Sequence, residues 1–298
     1  MGKRVARGYS SEDFEVLFNR PTDVNIEARA GIIAYRTIKI AHGPMLDVIV
    51  CPIWSKRSTK ETAERIKRES TKAQRLLNHR NSQERVVRLA NCNFGEGDAL
   101  LTCTYGAGQG EDSDARALKT VQSFIKKLSR AWKKKGKELK YIYTIEKTES
   151  RANGRRYHLH ILLNAAGLDR DWIESLWKHG ACNTRRYQYQ EEHFGGLAGY
   201  MKIYKDNQTK ATKRAWVASR NLKKPTKTTS DHKFSVARME KMARAMEMDA
   251  RYIVEKAYPG MRCVKDVICR RSEFVPGVYM YARMRRQDAE DLVRRVRD

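Results

Sequence analysis

Two histidines separated by one leucine, His158 and His160, lie within an apolar stretch that runs from Tyr157 to Asn164. An apolar run of this length, with a glycine on each side, predicts a buried strand. Side chains alternate along a strand, so both imidazoles are expected on the same face. Two imidazoles on one face can bind a divalent cation together. Two hydrogen-bonded or surface histidines are the alternative that this motif leaves open by itself.

A carboxylate is predicted to lie beside these histidines. Tyr141–Glu146 predicts a strand, and the polar segment 147–156, which contains an Asn-Gly pair, predicts the loop of a hairpin. Antiparallel pairing with the histidine strand then brings Glu146 close to both imidazoles. Such a mixed nitrogen and oxygen donor set suits Mg²⁺ or Mn²⁺ and leaves positions for substrate oxygens. In the alternative, Glu146 forms a surface ion pair with Lys147 or an arginine.

Two tyrosines, Tyr200 and Tyr204, follow the glycine-rich segment 195–199. In a helix, residues four apart lie on the same face. Lys202 and Lys205 lie beside the tyrosines, where a cation can assist a nucleophilic phenol. The spacing is equally typical of a packed amphipathic helix, so both interpretations stand at this point.

The elements around these residues form an α+β pattern. Ala99–Tyr105 predicts a strand, and Ser113 is expected to cap a helix that ends at Gly136. Asp169 is expected to cap a short helix after the histidine strand. Helices that alternate with hairpins in this way indicate an antiparallel sheet with packed helices.

Four segments are predicted along the chain. They are an N-terminal arm and β-hairpin over 1–57, a basic helical segment over 58–97, a core over 98–205, and a basic linker with a C-terminal α/β extension over 206–298. The extension is expected to hold a helix capped by Ser235, two strands near 263–269 and 275–282, and a charged final helix. The basic helical segment is either a solvated face or a phosphate-contacting surface.

The charge balance restricts the partners. The formal net charge is +26 over 298 residues, which favours a polyanion, with nucleic acid first and an anionic membrane second. No apolar stretch approaches 20 residues and no signal-peptide pattern is present, so neither a membrane span nor secretion is expected. Six scattered cysteines without a Cys-x-x-Cys pair indicate reduced thiols. The sequence contains no phosphate-binding loop motif, so a nucleotide-driven motor is not expected.

Taken together, four stretches resemble the HUH endonucleases that initiate rolling-circle replication, in particular the replication-associated proteins of phages and prophages of Gram-positive bacteria. The stretches are Leu100–Tyr105, Glu146 with His158-Leu159-His160, Tyr200–Lys205, and Ser219–Pro225. The family usually has a lysine three residues after its catalytic tyrosine. Ile203 occupies that place here, so the resemblance leaves Lys202 and Lys205 as alternatives.

The resemblance implies a ferredoxin- or RRM-like HUH core and a metal ion, Mg²⁺ or Mn²⁺, held by His158, His160 and Glu146. It implies that Tyr200 attacks a phosphate of single-stranded DNA at a replication origin, which gives a 5′-phosphotyrosine and a free 3′-hydroxyl. Tyr204 is then a second nucleophile or a structural residue. A host helicase and DNA polymerase are the implied partners, in the cytoplasm of a bacterial host and without a membrane.

Two other classes share parts of this pattern. A conjugative relaxase or a single-strand transposase uses the same chemistry. A non-catalytic nucleic-acid-binding protein is also possible, because RNA-binding sheets have a similar α+β layout. The strands here lack a run of exposed aromatics, and a binding module has no use for His158, His160 and Glu146. A metal-dependent endonuclease and strand transferase is therefore the favoured prediction.

Overall fold

A computed structural model describes most of the chain as two compact α+β units. One unit is Asn81–Lys224, and the other combines the described residues up to Arg80 with those from Pro225 onward. The described residues are 32–54, 72–106, 113–150, 154–188, 194, 197, 216–244, 247–271 and 277–287. Every strand pair in both units is antiparallel, so the predicted fold class is confirmed.

The bounds of the elements are as follows. The strands are β1 Ile32–His42, β2 Met45–Trp54, β3 Ala99–Tyr105, β4 Tyr141–Ser150, β5 Gly154–Leu163, β6 Gly180–Arg186, β7 Val217–Ala218, β8 Thr226–Ser230, β9 Met261–Cys263, β10 Ile268–Arg271 and β11 Val278–Arg286. The described helices are α1 Lys72–Asn93, α2 Asp114–Lys134, α3 Arg170–Ser175, α4 Val236–Arg244 and α5 Glu247–Ala257. None of these helices is long and apolar enough to cross a membrane.

The unit of residues 81–224 has a five-stranded sheet in the order β6-β3-β5-β4-β7. One face of this sheet packs against α2 through alternate side chains. The packed residues include Leu101, Cys103, Leu159 and Ile161 of the sheet and Val121, Phe124, Leu128 and Trp132 of the helix. The predicted helix bounds are confirmed, because Ser113 caps α2 by accepting from the Arg116 amide and Gly136 follows it with φ +69°.

The opposite face of the same sheet is divided along the strands into an apolar end and a polar end. At the apolar end, Leu100, Ile142 and Leu162 pack with residues of α1 and with Phe194 and Leu197. At the polar end, the same strands carry hydroxyl, imidazole and carboxylate side chains instead. Both predicted metal-binding histidines lie at this polar end.

The other unit has a sheet in the order β10-β11-β2-β1-β8, and β9 also pairs with β11. Its core contains Val48, Val50 and Met280 from the sheet together with Met239 and Met242 from α4. The predicted N-terminal hairpin is confirmed, with its turn at Gly43-Pro44. The pairing of this hairpin with β11, which sets Ile49 opposite Tyr281, was not predicted.

Three local predictions differ from the structure. The segment 147–156 is mostly ladder rather than loop, because β4 runs to Ser150 and β5 begins at Gly154. Cross-strand hydrogen bonds there decide the backbone conformation, and a polar composition does not prevent them. The segment 263–269 is not one strand, because β9 ends at Cys263 and β10 begins at Ile268. The helix capped by Ser235 is followed by a second helix, α5. The predicted N-terminal arm, the first part of the basic helical segment (58–71), the tyrosine motif and nearly all of the final charged helix lie outside the described residues.

Candidate metal centre on the sheet

The register of three strands places the candidate residues side by side. His158 lies directly opposite Glu146 of β4 and Thr104 of β3, and His160 lies opposite Thr102 of β3. Because directly opposed residues project from the same face, all five side chains share the polar end of the sheet. The adjacency of Glu146 and the histidines, expected from the hairpin, is therefore present in the structure.

Each imidazole is held by a hydroxyl of the neighbouring strand. Thr102 Oγ1 lies 3.3 Å from His160 Nδ1, and Thr104 Oγ1 lies 3.1 Å from His158 Nδ1. The other ring nitrogen of His160, Nε2, lies 2.9 Å from Glu146 Oε2. Hydrogen bonds to Nδ1 fix the orientation of a histidine ring and assign Nε2 to the partner or ligand.

A threonine hydroxyl fits both protonation patterns that such a ring adopts. Beside Glu146, the Nε2–H of a neutral His160 donates to the carboxylate, and the Thr102 hydroxyl donates to Nδ1. With Nε2 engaged as a ligand, the proton resides on Nδ1 and the same hydroxyl accepts it. A hydroxyl both donates and accepts, so it supports either tautomer without rearrangement of the strand.

The donors suit a divalent cation in kind, although they do not form a complete cage. No group of three or more His, Cys, Asp or Glu side chains converges as a metal site among the described residues. The 2.9 Å between His160 Nε2 and Glu146 Oε2 is close to the spacing of roughly 3.0 Å between adjacent ligands of an octahedral ion with bonds of about 2.1 Å. The side chains of His160 and Glu146 are only 7% and 13% exposed, which strengthens electrostatic interactions between them.

The strand that carries the histidines is fixed from its other face. Tyr157 is fully buried, and its hydroxyl donates to the Asp114 carboxylate at the start of α2. Lys147 Nζ lies 3.9 Å from the same carboxylate. Leu159 packs against α2 in the core between the two histidines. The imidazoles therefore project from a rigid element rather than from a loop.

Four residues of this face were not singled out by the sequence. Thr102 and Thr104 are two residues apart in β3, as the histidines are in β5. This period-two spacing is the sequence signal that places both threonines on the same face of a strand. Asn183 and Arg185 lie on edge strand β6, opposite Thr102 and Leu100. Both are exposed, and neither has a side-chain partner within the described part of the chain. No local sequence pattern identifies these two residues, because only the register of β6 places them on this face.

The tyrosine motif cannot be placed in the same way. Tyr200, Tyr204, Lys202 and Lys205 lie outside the described residues. The chain just before them is anchored at the apolar end of the same sheet face, where Leu197 and Phe194 are buried. Of the seven predicted site residues, the structure therefore brings together three, and the roles of all seven stay predictions.

One comparison with known proteins bears on this face. Residues 98–207 match the family model of the replication-associated protein ORF2/G2P. The matched segment includes both histidines, Glu146 and both tyrosines. Neither the curated proteins nor the solved structures gave a match. The family match supports a relation to replication-associated proteins, and with it an involvement in DNA replication.

Proposed function

We propose that this chain is an HUH-type endonuclease that nicks single-stranded DNA and transfers strands to initiate rolling-circle replication. The observation that carries the proposal is the contact between His160 and Glu146. Thr102 orients the ring of His160, and Thr104 orients the ring of His158. It lies within the segment that matches replication-associated proteins. A hydroxyl-oriented imidazole beside a carboxylate is the arrangement expected of a metal ligand pair.

His158, His160 and Glu146 are the residues that would hold the metal ion, Mg²⁺ or Mn²⁺. When bound, the ion would polarise the scissile phosphate and stabilise the negative charge that develops on it. The threonines engage Nδ1 of both rings, so Nε2 is the atom that each histidine would offer to the metal. The buried partners of β5 keep that geometry rigid while the substrate binds.

Tyr200 is the proposed nucleophile. Its oxygen forms a bond to phosphorus, the bond from phosphorus to the 3′-oxygen breaks, and the 3′-oxygen receives a proton in place of the one that the phenol loses. Leu197 is buried in the same cluster as Leu162, which is two residues from His160 along β5. Three residues of chain reach at most about 11 Å, so the burial of Leu197 in this cluster is compatible with the proposed role of Tyr200.

A cation must assist the reaction. A phenol with a pKa near about 10 is a weak nucleophile at neutral pH, and Lys202 or Lys205 would stabilise the phenolate. Tyr204 would act as a second nucleophile in the later strand transfer. The phosphotyrosine bond conserves the energy of the broken bond, which agrees with the lack of a nucleotide-binding motif in the sequence.

The single strand would run from the polar end of the sheet to the exposed side chains of β6 on the same face. Asn183 and Arg185 are two strands away from the histidines, roughly 10 Å at normal strand spacing. Their exposed side chains suit a base edge and a phosphate respectively. In a bacterial cell that carries the phage or prophage, a host helicase and polymerase would extend the free 3′-hydroxyl.

A covalent adduct tests the proposal. The protein is incubated with Mn²⁺ or Mg²⁺ and a labelled pool of single-stranded DNA of random sequence, and adducts are separated on a denaturing gel and sequenced. We expect an adduct that disappears with a chelator and returns with the metal. His160→Ala should lose the adduct and keep most DNA binding. An adduct that forms fully in chelator with this variant would exclude the metal centre.

The two tyrosines provide matched variants. Tyr200→Phe removes only a hydroxyl and should abolish the first adduct, whereas Tyr204→Phe should still form it and fail in the rejoining of strands. Mass spectrometry of the DNA-linked peptide identifies the attacking residue. Linkage to Tyr204 alone would correct the assignment within the motif. If neither tyrosine carries DNA, the nicking function is wrong.

A further inference from the structure

The charged residues on the exposed side of α2 are all basic. No acidic residue lies between Ala115 and Lys134. The exposed basic residues of this helix are Arg116, Lys119, Lys126, Lys127, Arg130, Lys133 and Lys134. At 100° per residue, Lys119, Lys126, Arg130 and Lys133 fall on one line opposite the buried side of the helix. We call these four residues the α2 row, which extends for about 21 Å at 1.5 Å per residue.

The charges of the α2 row are not balanced within the described part of the chain. None of its four side chains has an ion pair or hydrogen bond there. Lys127, outside the row, instead donates to the carbonyl of Leu176. Like charges three and four residues apart on a helix repel each other and destabilise it. Repulsion within the α2 row therefore lowers the stability of the helix, and an anionic partner bound to the row would relieve it.

The α2 row is separated from the candidate metal centre by the sheet. Buried residues of α2 pack on the face that carries Leu159 and Ile161. His158 and His160 project from the other face. The same nucleotides cannot contact both surfaces at once, so the α2 row serves a different stretch of polyanion from the one that would be cut.

The chemistry of the row selects the class of partner. Proteins that bind single strands stack bases on exposed aromatics, and the aromatics of α2, Phe124 and Trp132, are both buried. A membrane-surface helix needs an apolar face for insertion, and the apolar face of α2 is used in the core. A regular row of cations that contacts only phosphates matches a duplex.

We propose that the α2 row binds a DNA duplex next to the single strand that is cut. The choice of DNA rests on the proposed function, whereas the duplex form rests on the row itself. About six base pairs of B-form DNA, at 3.4 Å per pair, correspond to the length of the row. Contacts of this kind would hold the protein on the duplex without reading its sequence.

The test compares two triple variants of the full chain. Lys119→Gln, Lys126→Gln and Arg130→Gln together neutralise three of the four residues of the row and replace them with residues of similar helix propensity. The control, Arg238→Gln, Lys241→Gln and Arg244→Gln, removes the same charge from exposed positions of α4. Binding of a 30-base-pair duplex and of a 30-nucleotide single strand is measured by fluorescence anisotropy in chelator at several salt concentrations, so no cleavage is needed.

We expect the row variant to bind the duplex on the order of 10²-fold more weakly near 100 mM salt, with the salt slope lower by roughly 2.7. Its single-strand affinity and adduct yield should stay within about threefold of the unmodified protein, and the α4 control should keep duplex binding. Equal losses in both variants would show an effect of net charge and overturn the proposal. Equal losses for duplex and single strand, or none, would overturn it as well. If the unmodified protein forms no covalent adduct, the proposed nicking function is wrong and the proposal for the α2 row is unaffected.

Discussion

Thr102 and Thr104 decide which nitrogen of each imidazole faces the open side of the sheet. Each hydroxyl engages Nδ1 of the histidine directly across the strand pair. A histidine alone on a strand turns about its side-chain bonds, and fixing the ring lowers the entropy that ligand binding would otherwise cost. The two threonines therefore belong to the candidate centre as much as the histidines do.

The variant Thr102→Val tests this orientation. Valine has nearly the same shape as threonine and lacks the hydroxyl, so packing should be retained while His160 Nδ1 loses this hydrogen bond. We expect affinity for Mn²⁺ to fall by roughly tenfold or more, measured by isothermal titration calorimetry. Thr229→Val, at an exposed position of β8, is the matched control. Unchanged Mn²⁺ affinity in Thr102→Val would show that the hydroxyl does not orient a ligand.

Asn183 and Arg185 allow a separate test of the strand path. A phosphate contact by Arg185 should contribute about one unit to the salt slope of single-strand binding, and Arg185→Ala should remove it. A base contact by Asn183 should discriminate by about 1–3 kcal/mol at one position, so Asn183→Ala should relax sequence preference in the sequenced adducts. Arg244→Ala on the other unit should do neither. Cleavage and binding unaltered in both variants would exclude this path.

At the scale of the elements, local sequence patterns predicted contacts between neighbouring segments but not the pairing of distant strands. Alternation around His158 and His160 predicted their shared face, and the hairpin predicted the neighbourhood of Glu146. Both depend only on residues close in sequence. The partners from β3 and the exposed pair on β6 depend on register between strands that are far apart in the chain, and nothing local in the sequence specifies that register.

Gly180 is a residue at which the long-range pairing of β6 with β3 leaves no room for a side chain. It begins β6 with φ +136°, and a Cβ built there would lie 2.2 Å from the Gly106 amide nitrogen. We expect Gly180→Ala to lower the free energy of unfolding by about 2 kcal/mol or more, because both the backbone conformation and the close approach become strained. Gly95→Ala, where nothing lies within 4 Å of the added carbon, should change it by less than about 0.5 kcal/mol. Equal values from urea unfolding of the two variants would contradict this role.

At the scale of the whole molecule, charge is the dominant property. The excess of 61 basic over 35 acidic residues predicts that binding of DNA depends mainly on phosphate contacts. Between 50 and 200 mM salt, affinity for single strands should fall on the order of 10³-fold if about six phosphates are neutralised. Fluorescence anisotropy at constant pH measures it, with an uncharged nucleic-acid analogue as control. A flat response would rule out this mode of binding.

The composition alone predicts the salt dependence of DNA binding. It does not predict which parts of the chain pack into the same unit. The sequence patterns predict a core over 98–205 with separate extensions at both ends. In the structure, β2 near the start and β11 near the end are adjacent strands of one sheet. Each strand has its own local pattern, but the pairing of one with the other is a property of tertiary packing, which a single sequence does not display.

That pairing has a consequence for the order of synthesis. The partner of Ile49 is Tyr281, and the ribosome adds roughly 230 residues between them, which takes about 10 to 50 s at the usual 5–20 residues per second. During this interval β2 has an unpaired edge, while the continuous unit of residues 81–224 can already fold. A nascent chain of this protein is therefore expected to hold a finished candidate metal centre before its first hairpin has found its partner, and slower elongation would prolong the exposure of that edge to other chains.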